Sequence, residues 1–384
     1  MNALLVAREF LPASSGGISD YYYQLCHRLD GDLSVLAPAS GGDAAFDALQ
    51  PFEIHRRRTA TRWLGCYRAG RRIVEERGLD TVLIGHLRLA PVGPALRRAT
   101  GARHGMILHG GELHRHTGRW PAWRLIRRAL DSADFLVTDS SHTRRRYVEL
   151  GVRGDGRWLR LHPGVDTALF RPEAGDPDGV RRRYGLDDRP IVASLARLEP
   201  WSGQDSVLRA LPAVLERVPD VAYLVVGDGP CRKDLADLAG RSGLRDRVVM
   251  AGRVRDEELP SYYRAADVVA LPSRGMASGA PIEGFATAHV EAAACGVPVV
   301  GGPGGGADES IEHGVTGFRV DPERPDALAD ALVRLLSDPD LARRFGRAGR
   351  ERAIALFDWE RQVLRLREFL DGTATSRGVV GVGA

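Results

Sequence analysis

The chain has 384 residues, of which 43% are hydrophobic and 27% charged, as is usual for a soluble globular protein. Because one hydrophobic core rarely serves so long a chain, two domains are expected. The longest apolar runs, such as residues 268–272, have the length of a strand and could not span a bilayer. The first residues enter a strand without the pattern of a signal peptide, so we expect a cytoplasmic protein.

Charge is distributed unevenly along the chain. Residues 1–172 carry a net charge of +9 and residues 173–384 a net charge of −5, within a total of +4. A basic first half suits an anionic membrane surface or a phosphorylated acceptor, whereas nucleic acid is disfavoured because no groove-reading motif surrounds the arginines. Residues 118–128, with two tryptophans among four arginines, leave peripheral membrane contact open. A core-packing helix with a solvated basic face is the preferred interpretation of this run.

The cysteine pattern bears on metals and disulfides. Cys26, Cys66, Cys231 and Cys295 are scattered, with no Cys-x-x-Cys pair. The sequence therefore predicts neither a zinc site nor a disulfide framework, and we expect no metal ion or cofactor. No pattern in the chain indicates its oligomeric state.

Strand-like runs alternate with amphipathic helices from the start of the chain, which predicts βα units and a parallel sheet. The first series comprises residues 3–7, 18–29, 33–37, 68–77, 82–85, 105–109, 123–132 and 135–139. A polar linker follows Asp166, and the second series comprises residues 191–195, 206–218, 222–227, 234–239, 247–251, 268–272, 287–294 and 297–301. Helices near residues 326–336, 339–355 and 359–370 complete the fold.

Two doubly wound units in tandem fit this pattern better than one long sheet. We predict an α/β fold with Rossmann-like domains at residues 1–167 and 168–355, a helix at 356–371 that packs back on the N-terminal domain, and a tail at 372–384. Open parallel sheets bind ligands beyond the carboxyl ends of their strands. Two facing sheets would therefore form one deep cleft, where the chemistry is expected.

A glycine pair, Gly16 and Gly17, follows the first strand and opens the first helix. Glycines there let backbone N–H groups approach an anion at the positive end of the helix, and a pyrophosphate would fit. The pair does not match the dinucleotide pattern G-x-G-x-x-G. Taken alone, it is more often a plain turn than a phosphate site.

The most specific feature is a pair of glutamates, Glu283 and Glu291, separated by eight positions. If Glu291 lies on a helix aimed at the cleft, its carboxylate can accept both hydroxyl groups of a ribose, while Glu283, before the turn, would reach the sugar itself. Exposed glutamates on a surface helix are the alternative. The flanking Gly284-Phe285 and residues 295–298, Cys-Gly-Val-Pro, favour the functional interpretation.

These motifs, taken together, resemble glycosyltransferase family 4, which has the GT-B fold and retains the configuration of the transferred sugar. The resemblance covers nearly the whole chain and in its details is similar to the bacterial phosphatidylinositol mannosyltransferases. It rests on Gly16-Gly17, His109-Gly110-Gly111-Glu112, His162-Pro163-Gly164-Val165-Asp166, Arg197-Leu198, Gly203-Gln204-Asp205, Val226-Gly227-Asp228-Gly229, Ala251-Gly252-Arg253 and the Glu283 to Glu291 segment.

The resemblance implies an acceptor site on the N-terminal domain and a donor site on the C-terminal domain. Arg197 would hold the donor diphosphate, Glu291 the ribose, and Glu283 a hydroxyl group of the transferred sugar. His109 would contact the far hydroxyl group or the ring of that sugar, so the catalytic candidates are His109, Arg197 and Glu283. The remaining donor-binding candidates are Gly16, Gly17, Ser202, Gly227, Arg253, Gly284, Phe285 and Ala286.

The chemistry implied by the resemblance needs no protein nucleophile. Charge develops on the leaving phosphate oxygen as the glycosidic bond breaks, so fixed cations and N–H donors there stabilise the transition state. The leaving phosphate can then take the proton of the acceptor. Residues 273–282 resemble the longer loop of the mannosyltransferase group, which favours a GDP-sugar over a UDP-sugar as donor.

One position departs from the family pattern. The family's diphosphate site has a lysine five residues after the arginine, whereas this chain has Ser202. Because Lys233 is the only lysine of the chain, a conservative change would have left arginine, so Ser202 removes a charge. Either Arg253 or Arg274 supplies the missing cation, or the diphosphate is held in another way.

The sequence thus favours a retaining transferase that moves a hexose from a nucleoside-diphosphate sugar to a small polar metabolite or a lipid head group. Two alternatives stay open: a nucleotide-sugar epimerase of the same fold and a catalytically silent nucleotide-binding homologue. The sequence does not distinguish an oxygen, nitrogen or sulfur atom as the acceptor.

Overall fold

The computed structural model describes residues 2–14, 16–41, 43–113, 120–154, 157–274 and 285–372. The chain divides into two compact units, Met1–Pro163 with Trp359–Ala384, and Gly164–Asp358. Residues 164–167, which the sequence assigned to the N-terminal domain, belong to the second unit. They do so because Val165 N donates to Phe357 O at 2.7 Å and the Thr167 hydroxyl donates to Asp358 Oδ2 at 2.5 Å.

In the first unit, the described strands form a seven-stranded sheet in the order β3-β2-β1-β4-β5-β6-β7, with every neighbouring pair parallel. The strands are β1 (Ala3–Val6), β2 (Leu33–Pro38), β3 (Ile54–Arg57), β4 (Thr81–Ile84), β5 (Arg103–Leu108), β6 (Phe135–Thr138) and β7 (Arg157–Arg160). The helices up to β7 are α1 (Gly17–Arg28), α2 (Asp43–Asp47), α3 (Trp63–Arg77), α4 (Val92–Thr100), α5 (Gly110–Leu113), α6 (Trp120–Asp131) and α7 (Ser141–Glu149), with a 3₁₀ turn at Leu87–Leu89.

The second unit has a parallel sheet of six described strands in the order β10-β9-β8-β11-β12-β13. These are β8 (Ile191–Leu195), β9 (Ala222–Val226), β10 (Val248–Gly252), β11 (Val268–Leu271), β12 (Val299–Gly301) and β13 (Gly317–Arg319). Its helices are α8 (Pro177–Tyr184), α9 (Gln204–Leu215), α10 (Arg232–Arg241), α11 (Leu259–Ala265), α12 (Thr287–Ala294), α13 (Ala307–Ser310), α14 (Pro325–Ser337) and α15 (Pro339–Arg352). Short 3₁₀ turns at Arg245–Arg247 and Asp256–Glu258 and a π turn at Ala353–Phe357 complete it.

Both faces of each sheet are covered by helices. On β1, Leu4 and Val6 join one hydrophobic cluster and Leu5 joins another, as the alternation of side chains along a strand requires. On β8, Ala193 and Val192 divide between two clusters in the same way. With both faces buried, the carboxyl edge of each sheet is where loops can present side chains to a ligand. The two Rossmann-like units predicted from the sequence are confirmed.

The last described helix, α16 (Trp359–Leu370), belongs to the first unit. Its apolar stripe packs there, with the Trp359 ring 5.6 Å from that of Tyr21 and the Phe369 ring 5.6 Å from that of Phe135. Arg103 Nη2 donates to Leu370 O at 2.6 Å and fixes the end of the helix. None of the described helices is both long enough and apolar enough to cross a membrane.

Candidate active site

Arg197 follows β8 at the carboxyl edge of the second sheet, as the sequence predicted. Its Nε lies 2.7 Å from Glu199 Oε1, and the arginine side chain is 72% exposed while that of Glu199 is 15% exposed. A half-solvated ion pair of this kind adds little to stability. Its effect is to orient a guanidinium that an anionic ligand can still reach.

Two glycines shape the loops around Arg197. Gly227, after β9, has φ 130°, and a Cβ atom there would lie 2.0 Å from Ala196 O. Gly203 has φ 86°, and its Cβ would lie 2.3 Å from Pro272 O. Neither position accepts a side chain without displacing the backbone, so both loops require glycine. At Gly227, the loops that follow β8 and β9 therefore lie in close contact beside the predicted diphosphate site.

Ser202 stands where the family has its lysine, and it is buried, with 4% of its surface exposed. Its backbone N–H donates to Glu199 O at 3.1 Å, so the residue closes the turn that carries Arg197. No charge reaches the predicted diphosphate site from this position. Either another residue supplies the positive charge of the family lysine, or the diphosphate is bound without it.

Of the two arginines considered as replacements, Arg274 is already neutralised. It forms an ion pair with Asp205, donates to Ser206 Oγ at 2.7 Å, and lies 3.5 Å from Glu323 Oε1. Arg253, after β10, is exposed and lines a cavity of about 580 Å³. Arg253 therefore stays the better candidate of the two.

Glu291 lies on α12 and is half-buried. Its Oε2 accepts a 2.6 Å hydrogen bond from the hydroxyl of Tyr263, which is 1% exposed. Burial, followed by the charge of Glu291, raises the pKa of Tyr263 well above its usual value, so this hydroxyl keeps its proton and stays a donor. Tyr263 thus holds the carboxylate in one orientation, a contact that the sequence did not indicate.

The other candidates around α12 are divided between described and undescribed residues. Phe285 is buried, with its ring 5.5 Å from that of Phe357, so only its backbone could meet a donor. Ala286 precedes the first turn of α12. Glu283 and Gly284 lie outside the described residues, and their predicted roles stay predictions.

In the first unit, Gly16 and Gly17 stand at the N-terminus of α1, following β1. Asp20 N donates to Gly16 O at 3.0 Å, and a Cβ atom at either glycine would meet no described atom within 4 Å. The first turn of a twelve-residue helix therefore faces open space, a geometry that suits an anionic ligand. Their role in binding the donor stays a prediction.

His109 directly follows β5 and is 5% exposed. Its Nε2 lies 3.0 Å from the Tyr22 hydroxyl, which donates its only proton to Gly85 O, so Nε2 must be the donor to Tyr22. Its Nδ1 lies 3.5 Å from Asp139 Oδ2. Both ring nitrogens face an oxygen atom, so the two contacts fix the orientation of the ring.

Asp139, which follows β6, is the acidic partner in this network. Burial alone would raise its pKa, but hydrogen bonds led by that from His109 hold the pKa below its usual value. The carboxylate therefore stays charged beside the ring. Neither Asp139 nor Tyr22 was assigned a role from the sequence, although a polar residue directly after a buried strand was a signal that could have found Asp139.

A second polar group lies at the same edge of the first sheet. Arg8 follows β1, His86 follows β4, and Glu112 lies on α5. His86 Nε2 is 3.4 Å from Glu112 Oε1 and 3.4 Å from Arg8 Nη1. Within the described parts of the chain, no three His, Cys, Asp or Glu side chains are arranged to hold a metal ion.

Comparison with known proteins identifies the family. The model of "Glycosyltransferase Family 4" matches residues 15–169, and that of "Glycosyl transferases group 1" matches residues 179–352. The chain is 37% identical to the GDP-mannose-dependent alpha-(1-6)-phosphatidylinositol monomannoside mannosyltransferase of Mycobacterium tuberculosis, over 97% of this chain and 99% of that protein. The GDP-mannose-dependent monoacylated alpha-(1-6)-phosphatidylinositol monomannoside mannosyltransferase of Corynebacterium glutamicum is 31% identical over 96% of this chain and 97% of that protein.

The architecture is shared with solved structures. The crystal structure of Anabaena Alr3699/HepE in complex with UDP superposes with a TM-score of 0.83, covering 97% of this chain and all of that one at 22% identity. At that identity the likeness shows the fold, which is GT-B. Since the family models span both units and the M. tuberculosis relative aligns over almost the full length of both chains, this chain belongs to glycosyltransferase family 4.

Proposed function

We propose that the protein transfers mannose from GDP-mannose, with retention of configuration, to a mannosylated phosphoinositide or a related polyol head group. The observation that carries this proposal is the 37% identity to a GDP-mannose-dependent enzyme over nearly the whole of both chains, including the unit to which we assign the acceptor. Relatives that match only part of the chain, such as the alpha-D-kanosaminyltransferase of Streptomyces kanamyceticus, carry less weight.

The second unit supplies the donor site in this proposal. The exposed guanidinium of Arg197 neutralises the diphosphate, and Glu291, held by Tyr263, accepts the ribose hydroxyl groups. Arg253 adds a second positive charge in place of the family lysine. As the C1–O bond of the donor breaks, charge grows on the departing phosphate oxygen, and Arg197 stabilises it most strongly at that point.

The first unit supplies the acceptor site and the residues that act on the sugar. The acceptor hydroxyl forms the new bond to C1 on the face that the diphosphate leaves, and its proton passes to a diphosphate oxygen. No protein nucleophile and no metal ion is required by this scheme. His109, oriented by Asp139 and Tyr22, is the residue of this unit that we assign to the transferred sugar.

Donor binding and product analysis test the proposal. In a thermal-shift screen of GDP, UDP and ADP, we expect GDP to raise the melting temperature most, because a ligand that binds only the folded state stabilises it. With GDP-mannose and vesicles containing mannosylated phosphatidylinositol, we expect GDP release and a mannosylated lipid. An epimerised nucleotide sugar without transfer would contradict the proposal. Absence of binding to all three nucleotides would contradict both the transferase and the epimerase, whereas nucleotide binding without turnover would favour the silent homologue.

A further inference from the structure

Glu112 is a buried carboxyl group whose hydrogen bonds are incomplete. The residue is 5% exposed, and neither carboxyl oxygen receives a hydrogen bond of normal geometry from the described residues. The backbone N–H of Leu87 faces the group without compensating for its burial. Buried polar atoms in native proteins are nearly always paired, so an unpaired carboxyl needs an explanation.

The nearest neighbours of Glu112 do not complete the hydrogen bonds of its carboxyl group. Arg88 N donates to His86 Nδ1 at 3.0 Å, so a neutral His86 carries its proton on Nε2, which lies 3.4 Å from Glu112 Oε1. That distance is too long for a good hydrogen bond. Arg8 contacts His86 at 3.4 Å and, among the described residues, has no carboxylate partner. Among the described residues, a donor at 3.4 Å and a cation with no carboxylate partner thus stand beside the two carboxyl oxygens of Glu112.

The position of this group favours a ligand over a purely structural role. Arg8, His86 and Glu112 follow β1, β4 and β5, which are neighbours in the sheet, and all three come after the carboxyl ends of their strands. Ligands of open parallel sheets bind at that edge.

We infer that Glu112, with His86 and Arg8 beside it, binds two adjacent hydroxyl groups of the acceptor. Each carboxylate oxygen accepts one hydroxyl proton, while His86 Nε2–H and the Arg8 guanidinium donate to the hydroxyl oxygens. The acceptor class is then a vicinal diol, as in a cyclic polyol or a sugar, and not a lone alcohol, thiol or amine. The inference rests on the proposed function in placing the acceptor on the first unit.

Proton release follows from this mode of binding. Burial raises the pKa of Glu112 to about 8, so without ligand the group is mostly protonated at neutral pH. A carboxylate that accepts two hydroxyl protons must be ionised, so binding expels one proton. Among the described residues, the ionisable groups that face Glu112 are Arg8, Glu9, Tyr22, His86, Asp139 and Tyr147. Of these, Glu9 and Asp139 reinforce the raised pKa and Arg8 opposes it.

The test is calorimetric titration of the full chain with myo-inositol between pH 6.5 and 9, in buffers that differ in ionisation enthalpy. We expect nearly one proton to be released at pH 7 and almost none at pH 9, with affinity rising up to about tenfold per pH unit below pH 8. Cyclohexanol, with one hydroxyl group, should show no such binding. Binding of myo-inositol without proton release, or no binding to the wild-type protein, would overturn the inference.

Glu112→Gln removes the ionisable group at nearly constant shape. We expect it to weaken myo-inositol binding at pH 8 by at least roughly tenfold and to abolish the pH dependence, because hydrogen bonds to a charged acceptor are the strong ones. Glu9→Gln, which changes a neighbouring carboxyl group, should keep both the affinity and most of the pH dependence. Unchanged affinity in Glu112→Gln would contradict the assignment.

Two further measurements separate misfolding and failure of the proposed function from failure of this inference. The pKa of Glu112 rises from its ordinary value near 4.5 to about 8 on folding. Between these two pH values the wild-type fold becomes less stable as pH rises, because Glu112 ionises first in the unfolded chain. Glu112→Gln should therefore melt at a higher temperature than the wild type at pH 8, which shows that it folds. GDP should still stabilise this variant; if GDP stabilised neither protein, the proposed function itself would fail.

Discussion

The carboxyl edges of the two sheets carry different kinds of residue. In the first unit, His109 and Asp139 are buried with Nδ1 and Oδ2 3.5 Å apart, and Glu112 is buried beside them in a second group. In the second unit, Arg197 and Arg253 are exposed, and glycine shapes the loops around them. Both sheets are parallel and doubly wound, so the fold alone does not account for this difference.

The difference fits the ligands assigned to each edge. Polar groups fixed by buried hydrogen bonds can distinguish one arrangement of hydroxyl groups from another, since a mismatched ligand would leave them unpaired. Exposed cations and close backbone turns suit a diphosphate, which needs charge and backbone N–H groups more than shape. The first edge should therefore govern acceptor choice and sugar orientation, and the second should govern affinity for the nucleotide.

The largest effect should follow loss of Arg197. We expect Arg197→Ala to lower turnover at least roughly a hundredfold, the scale of about 2.7–4 kcal/mol that one transition-state donor supplies. Initial rates at saturating GDP-mannose measure this. Arg217→Ala is the matched control, because Arg217 is also exposed and paired with an acidic residue, Asp330. Near-normal turnover in Arg197→Ala would remove the phosphate role and most of the mechanism.

Glu291→Ala should weaken GDP binding by about 1.5–3 kcal/mol, roughly ten- to a hundredfold, through lost hydrogen bonds to a charged acceptor. The buried Tyr263 hydroxyl would lose its acceptor in this variant, so the melting temperature should also fall. Glu291→Ala combined with Tyr263→Phe should recover the melting temperature without recovering GDP affinity. Equal GDP affinity in Glu291→Ala and the wild type would exclude the ribose role.

Asp139→Asn tests the first edge through His109. An asparagine removes the negative charge that faces His109 Nδ1, so we expect the ring to be held less firmly and turnover to fall roughly tenfold while GDP affinity stays unchanged. The ¹⁵N shift of His109 Nδ1 should change as the group that faces it loses its charge, which a merely structural role would not produce. Ser141→Ala, at the first residue of α7 and less buried than Asp139, should leave both readouts close to wild type. A matching fall in GDP affinity would contradict the division between the edges.

Ser202→Lys should give the smallest change. A lysine there restores the family cation and should tighten GDP-mannose binding by up to about fivefold, since partly solvated ion pairs contribute about 1 kcal/mol or less. Ser202→Met, of similar length without charge, separates charge from crowding at this buried position. If both variants weaken binding equally, the space at residue 202 is needed by the donor, and a bulkier donor than GDP-mannose would have to be sought.

The alternation of apolar strands and helices was sufficient to predict both sheets, but not all of their strands. The missed strands β3, β7 and β13 lie at sheet edges. Segments such as Ile54–Arg57 and Arg157–Arg160 contain arginines because an edge strand is not buried on all sides. Hydrophobic runs therefore predict central strands well and edge strands poorly.

The candidate site was predictable where a local motif carries the chemistry, as for Arg197 at the end of β8 and Glu291 on α12. Residues that act through a partner distant in sequence were not. Tyr22 meets His109, and Tyr263 meets Glu291, only after the chain has folded. The missing hydrogen bonds of Glu112 are likewise a property of burial, which no spacing along the chain reveals.

The central claim is that this protein transfers mannose with retention, and product stereochemistry tests it most directly. The purified protein would be incubated with GDP-mannose and vesicles containing mannosylated phosphatidylinositol, and the new glycosidic bond assigned from its one-bond C1–H1 coupling by NMR. We predict an α-linked mannose, as in the donor, with one GDP released for each lipid modified. A β-linked product, or GDP release without transfer to the lipid, would contradict the account.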